Sequence, residues 1–181
     1  MGLKSITEKD GVYFITPTVI DWVDVLSRPV YKNCIIDSLQ FCQKEKGLVI
    51  YAWVIMTNHL HLIVSAKEGY DLSAIVRDFK KYTSKKIVEL MQHEEESRKK
   101  WMLNRFEYAG RNNPKIKFYK FWQDGNEPKP IYTNEFLMQK IDYIHQNPVK
   151  AEIVNEPEHY RHSSAIDYAG GKGLLDICLV S

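Results

Sequence analysis

Cysteine is scarce and unpaired in this sequence. Cys34, Cys42 and Cys178 are its only three, and none lies in a C-x-x-C pair; an odd count without ligand spacing excludes both a disulfide framework and a zinc ribbon. They read as small buried hydrophobes. Long apolar runs are also missing. The longest, around 50–56 and 60–64, are strand-sized and fall well short of the roughly 18–20 residues that a spanning helix needs. Residues 1–10 hold no apolar block followed by small residues, so no cleaved secretory signal is expected and the chain is expected in the cytoplasm. No internal repeat or low-complexity tract interrupts the 181 residues, a length that predicts one domain with its own core. Nor is one sign of charge in excess. The 25 Lys and Arg against 23 Asp and Glu leave +2, too mild to imply a nucleic-acid partner unless basic residues cluster locally.

What is present, 44% hydrophobic and 12% aromatic residues, is enough for a globular core. The run 11–19 has the β-branched and aromatic character of a strand, broken by Pro17. Pro29 opens a helix to about 45, with Val30, Cys34, Ile35, Leu39 and Cys42 at helical spacing and Gly47 just past its end. Residues 48–56 and 59–66 are two β-rich runs separated by Thr57 and Asn58, which reads as an antiparallel hairpin. Asp71 caps a long helix whose apolar stripe runs from Leu72 to Met91. From Glu94 to Arg111 the pattern degrades into mixed charge, expected to be a helix end and an exposed connection.

Lys115–Trp122 alternates basic and apolar residues like a half-buried strand, and 124–130, with Gly125, Pro128 and Pro130, reads as a loop. Thr133 caps a further helix that Pro148 should limit, and 175–180 is expected as a last edge strand. The order of elements predicts an α+β protein, a ferredoxin-like antiparallel sheet with helices packed on it.

Two constellations carry possible chemistry. His59 and His61 sit one residue apart on a predicted strand, so both imidazoles share one face while Leu60 and Leu62 take the other. A pair of neutral imidazoles is half of a metal site, although two solvated polar residues would have the same spacing. The second is Asp142–Lys150, Asp-Tyr-Ile-His-Gln-Asn-Pro-Val-Lys. Tyr143 and Asn147, at i and i+4, project from one side of a helix. Here too a bland reading stands beside the chemical one: Asn147 and Pro148 suit the start of a following helix, and Tyr143 suits a core aromatic.

Taken together, the residues resemble a known family. The run Tyr51-Ala-Trp-Val-Ile-Met-Thr-Asn-His59-Leu-His61-Leu-Ile-Val64 is followed in order by Phe79-Lys-Lys-Tyr-Thr-Ser84 and Trp122-Gln-Asp124. Tyr143-Ile-His-Gln-Asn147-Pro-Val-Lys-Ala151 and Tyr160-Arg-His-Ser-Ser164 complete the series. Collinear over nearly the whole chain, these resemble the single-tyrosine HUH transposases, and within them the REP-associated tyrosine transposases. The resemblance implies a single catalytic domain over 1–181 with an HUH endonuclease-type fold. It implies a divalent ion, Mg or Mn, on His59, His61 and Asn147, and Tyr143 as a nucleophile that leaves a 5'-phosphotyrosine and a free 3'-hydroxyl. A free phenol ionises only near pH 10 or so, and the ion would offset that weakness by polarising the phosphate. The implied partner is single-stranded or hairpin-containing DNA, with no membrane role. Relatives include monomers and helix-exchanging dimers, and the expectation here is a monomer. Glu152 departs from the pattern, standing where a glycine is common, and the loop 125–131 lies where relatives vary.

Between Arg77 and Lys86 the charged residues are Arg77, Asp78, Lys80, Lys81, Lys85 and Lys86, a local basic patch suited to phosphates. A solvated helix face has the same composition. Lys150, in the tyrosine motif, joins the expected DNA contacts. Lys115, Lys117 and Lys120, interleaved with Phe118, Tyr119, Phe121 and Trp122, could add a stacking surface. Two other functions remain open on the sequence: a catalytically idle nucleic-acid-binding module of the same fold, and a small metal-dependent hydrolase using only the His pair.

Overall fold

The structure is a computed structural model, and it describes residues 11–111, 119–125 and 127–180. Strands β1 (Val12–Ile15), β2 (Leu48–Ile55), β3 (Leu60–Ala66) and β4 (Lys129–Ile131) form an antiparallel sheet in the order β2-β3-β1-β4. Helices α1 (Pro29–Glu45), α2 (Leu72–His93), α3 (Lys99–Gly110) and α4 (Asn134–Lys150) pack on it, and a short α5 (Ala165–Tyr168) follows. This is the expected α+β, ferredoxin-like arrangement. Among the described residues no helix is long and apolar enough to cross a membrane.

Period-two alternation divides the sheet into two apolar faces. Tyr13, Ile15, Ile50, Trp53, Ile55, Leu60, Leu62 and Val64 meet α1, α2 and α3 on one side. Phe14, Ala52, Val54, Met56 and Ile63 meet Leu137, Ile141 and Ile144 of α4 on the other. A bulge at Tyr51, between the Ile50 and Ala52 registers, shifts the alternation of β2, so both halves of the strand still feed both cores. α2 starts where Asp71 accepts the Ser73 N–H at 2.9 Å, and α4 where Thr133 accepts the Phe136 N–H at 3.2 Å, both as the capping residues predict.

Several expectations are corrected. Residues 99–110 of the expected connection form α3, which buries Met102, Phe106 and Gly110 at successive i+4 positions beneath a charged and aromatic outer side that masks the stripe. Pro148 does not end α4; the ring lies inside the helix and is itself buried with Leu137, Ile141 and Ile144, so packing offsets the one backbone bond that proline removes. Part of the 124–130 loop becomes edge strand β4, where Pro130 is tolerated because an edge strand has an unused hydrogen-bonding side. Of the Lys115–Trp122 strand, residues 115–118 lie outside the described residues, and Trp122 makes a single bridge with Val19. Cys178 is exposed, unlike Cys34 and Cys42.

The C-terminal segment is not a strand, and it covers an edge instead. β2 would otherwise present unpaired backbone groups, a template for association. The Ile55 N–H donates to the His162 carbonyl at 2.9 Å, and the Ser164 N–H donates to the Trp53 carbonyl at 3.0 Å. Further back, the Cys178 N–H donates to the Ile50 carbonyl at 2.9 Å, while Gln40 and Gln43 of α1 donate to the carbonyls of Leu174 and Asp176. Those side-chain bonds take the place of a ladder, and Leu175 is buried in the core. Removing residues 174–181 should lower the urea midpoint and cause self-association seen by light scattering. An unchanged midpoint with a monomeric mass would show that this segment protects nothing.

Candidate functional site

The His pair stands at the start of β3, where the chain leaving β1 stays alongside: the Leu60 N–H donates to the Pro17 carbonyl at 2.9 Å and Thr18 bridges to His59. His59 and His61 point to the α4 side, their ring centroids 4.7 Å apart in an edge arrangement. Each Nδ1 has a partner. The Nδ1 of His59 lies 2.7 Å from Asn58 Oδ1, while Asn58 Nδ2 donates to the Trp22 carbonyl at 3.2 Å. With the amide oriented by that second bond, an oxygen faces the ring, so Nδ1 must carry the proton and Nε2 keeps its lone pair. His61 Nδ1 lies 2.9 Å from Thr16 Oγ1. Partners of this kind at the far nitrogen are how proteins orient metal-binding imidazoles.

Tyr143 arrives from across the second core. Its ring lies edge-on to His61 at 5.2 Å and to Phe14 at 6.1 Å, and Phe14 stacks on His61 at 5.3 Å. The tyrosine is 39% exposed, so its hydroxyl can meet a macromolecule. Asn147 follows one turn later, and its Nδ2 donates to the Tyr143 carbonyl at 2.9 Å. That bond uses the nitrogen end of the amide and leaves Oδ1 as its remaining donor of electron pairs.

Two lysines flank the phenol. Lys140 Nζ sits 5.3 Å from the Tyr143 ring centroid, 5.2 Å from that of Phe14 and 5.1 Å from that of Phe136, and Lys150 Nζ sits 5.8 Å from Tyr143. Such cation–π placement keeps both charges against the Tyr143 ring. Lys150 is expected from the tyrosine motif. Lys140 is not among the expected contacts, although its i−3 spacing from Tyr143 is a usable signal.

Helix α4 is locked in rotation by a polar contact inside the apolar core. Buried His145 places Nε2 2.9 Å from Ser164 Oγ, which accepts the Trp53 N–H at 2.9 Å. Nearby, Lys32 donates to the Tyr160 hydroxyl at 2.8 Å and Tyr160 donates to the Ile55 carbonyl at 2.8 Å. The 160–164 segment therefore clasps the end of β2 and holds α4 through His145. His145, Tyr160 and Ser164 belong to the family-like motifs, but their spacing in the chain gives no sign of these contacts. Glu152 just beyond α4 has φ 56, a left-handed position that explains why glycine suits it.

Burial, followed by the neighbouring charges of His59 and Lys140, pushes the His61 imidazole from 6.5 down to about 3. Burial also lowers His59. Both rings are therefore unprotonated at neutral pH, as a metal ligand must be. Among the described residues no three His, Cys, Asp or Glu converge. A divalent ion fits the two imidazoles, and an incompletely filled neutral set suits a weakly held catalytic ion better than a closed structural one.

The basic patch lies elsewhere. α2 packs on the other face of the sheet, and Arg77, Lys81 and Lys85 are exposed on its outer side, away from Tyr143. Arg77 pairs with Asp78 at 3.2 Å and Lys86 with Glu89 at 3.5 Å. Only Lys80 reaches toward the His pair: it donates to the Gln123 carbonyl at 3.3 Å, Gln123 N–H donates to the Thr18 carbonyl at 2.8 Å, and Thr18 bridges to His59.

The sequence matches the family described as "Transposase IS200 like" over residues 19–110, more than half the chain, and the chain belongs to that family of DNA-processing enzymes. The matched span includes the His pair and ends before Tyr143. Among solved structures, the REP-associated tyrosine transposase bound to a REP hairpin is similar in fold, with a TM-score of 0.62 and 21% identity over 100% of this chain and 93% of that one. A Deinococcus radiodurans R1 structure described as that of a transposase superimposes with a TM-score of 0.47 and 16% identity, over 81% of this chain and 97% of that one. No curated protein matches the chain in sequence.

Imidazoles kept unprotonated by desolvation have a consequence for stability. His61 at about 3, and His145 and His162 at about 4, lie below their ordinary 6.5, in each case chiefly through burial. The unfolded chain therefore binds more protons than the folded one below pH 6.5. Stability is complete above that value and falls as the pH drops toward the folded values, with a slope of up to about 1.4 kcal/mol per pH unit for each such group. In chelator-treated protein the urea midpoint should decline steadily between pH 7 and pH 4.5. A flat profile would mean that the three rings are solvated.

Proposed function

We propose that this chain cleaves and rejoins DNA strands, with Tyr143 as the nucleophile and hairpin-containing single-stranded DNA as the substrate. The observation that carries the reading is the approach of a partly exposed phenol to an unprotonated imidazole pair, 5.2 Å between ring centroids from the buried His61. An idle binding module has no need for that convergence. Membership of the transposase family supports DNA as the substrate. The hairpin is carried over from the REP hairpin held by the similar solved structure.

In the reaction the Tyr143 hydroxyl oxygen bonds to phosphorus as the bond from phosphorus to the 3'-oxygen breaks. The phenolic proton leaves, the departing 3'-oxygen gains one, and the products are a 5'-phosphotyrosine and a free 3'-hydroxyl. Attack by another 3'-hydroxyl reverses the step, and the ester conserves the energy needed for rejoining. Lys140 and Lys150, held against the Tyr143 ring, supply positive charge that draws the phosphate toward this end of the site. Asn58 and Thr16 orient the two imidazoles, and His145 with Ser164 fixes the helix that presents the phenol. His59 and His61, with Asn147 through Oδ1, would hold a divalent ion, Mg or Mn. When bound, such an ion supplies positive charge to the phosphate oxygens. Tyr143 and His61 meet within one chain, which supports a monomer in which the tyrosine acts in its own site and the whole chain serves as one catalytic domain.

Tyr143→Phe should abolish the denaturant-resistant adduct with single-stranded DNA that the unaltered protein forms in Mn or Mg, while binding is nearly unchanged. An adduct persisting in that variant would move the nucleophile elsewhere, with exposed Tyr132 the next to test. For the basic residues, a Lys80→Ala/Lys81→Ala variant should flatten the dependence of log affinity on log salt by about 0.7 for each phosphate that is no longer neutralised. An identical slope would remove α2 from the interface.

A further inference from the structure

Three large aromatic side chains that the proposed chemistry does not use stand in solvent, one of them beside the His pair. Trp22 is 58% exposed, Trp101 48% and Tyr108 66%. Single exposed aromatics are ordinary, but these belong to one surface. α3 carries Trp101, Arg105 and Tyr108, with Arg111 at its end, on the side opposite its buried Met102, Phe106 and Gly110. Arg105 Nη1 lies 3.7 Å from Asp21 Oδ2, which joins that side of the helix to the turn Ile20–Trp22. From the turn, the Trp22 indole stands edge-on to His59 at 5.8 Å between ring centroids. An aromatic and guanidinium strip thus begins at the imidazole pair and runs out along α3.

The turn is held in a conformation that side chains disfavour. Asp21 and Trp22 have φ of 51° and 56°, two successive left-handed residues without a glycine. Asn58 Nδ2 holds the Trp22 carbonyl at 3.2 Å, and the Oδ1 of that same amide faces His59 Nδ1 at 2.7 Å. One side chain therefore sets both the tautomer of His59 and the position of Trp22. Backbone strain kept in place by the surrounding structure is found where a position must be exact for function.

We propose that this strip is a stacking platform for unpaired bases of the strand that flanks the cleaved phosphate, with Trp22 taking the base nearest His59. The inference rests on the strand-transfer reading. Aromatic faces accept any base, and guanidinium groups serve both bases and phosphates. Charge favours the same occupant: along 99–111 the cations Lys99, Lys100, Arg105 and Arg111 outnumber Glu107, and even with Glu107 paired to Arg111 at 3.1 Å and Asp21 beside Arg105 the strip keeps a net positive charge. A protein partner would find no continuous apolar patch, since cations separate the rings. The outward aromatics are also what hides α3 in the sequence: their spacing serves the surface and not the core.

The test compares two labelled DNA hairpins, one with an unpaired flank of randomised sequence and one without, bound by the full chain. The Trp22→Ala/Trp101→Ala/Tyr108→Ala variant should bind the flanked hairpin about tenfold or more weakly, with little change for the unflanked one. Trp22→Phe, which keeps an aromatic face, should retain most of the preference and guards against a folding defect in the triple variant. Equal affinity of unaltered protein and triple variant for the flanked hairpin, or equal losses on both DNAs, would overturn the platform. Flank-dependent binding by a protein that forms no adduct in Mn or Mg would support the platform and count against Tyr143 as nucleophile, so the two readings fail separately.

Discussion

Seating α4 across the second face of the sheet is the constraint on which the site depends. Leu137, Ile141 and Ile144 bury against Phe14, Ala52, Val54 and Ile63, and the free energy of that apolar burial fixes the distance between helix and sheet. Apolar packing alone tolerates small rotations. The His145–Ser164 contact does not, because a buried hydrogen bond left unmade carries the full desolvation cost of its polar atoms. With spacing and rotation both set, Tyr143 can only face the end of β3, where the apolar contact gives way to the two imidazoles.

The electrostatics of this end of the molecule follow from the same packing. Burial keeps His61 uncharged, while Lys140 and Lys150 place cationic groups around the phenol. The local surface thus combines neutral lone-pair donors with positive charge, and among the described residues no acidic side chain joins the imidazoles in a metal-binding cluster. Such a surface is matched to an anionic ligand, and it sets the His pair apart from the acidic cages that hold calcium or from a closed zinc site.

Much of the fold could be read from the chain because its signals are local. α1 starts at Pro29, α2 at the Asp71 cap and α4 at the Thr133 cap, and the hairpin turns at Thr57 and Asn58, as capping and alternation require. The elements that escaped had their local signal reversed by a tertiary contact. α3 spends its aromatics on the outside, Pro148 is carried through a helix by the core it packs into, and the last residues give their carbonyls to Gln40 and Gln43 of α1. The basic patch illustrates a further limit: charge density along α2 was visible, but which face of the sheet carried it was not.

From the residues alone came the kinds of group on offer: two imidazoles forced to one side of a strand, and a phenol with an amide one helical turn apart. Period two and period 3.6 dictate that much, since each involves only neighbours in sequence. Whether the strand face and the helix face would look at one another was decided in three dimensions. Tyr143 and His61 are separated by many residues, and their meeting depends on the order of the strands, the side of the sheet that α4 takes and a serine from the C-terminal segment. Contacts of such long range carry no periodic trace, so only the folded chain contains them.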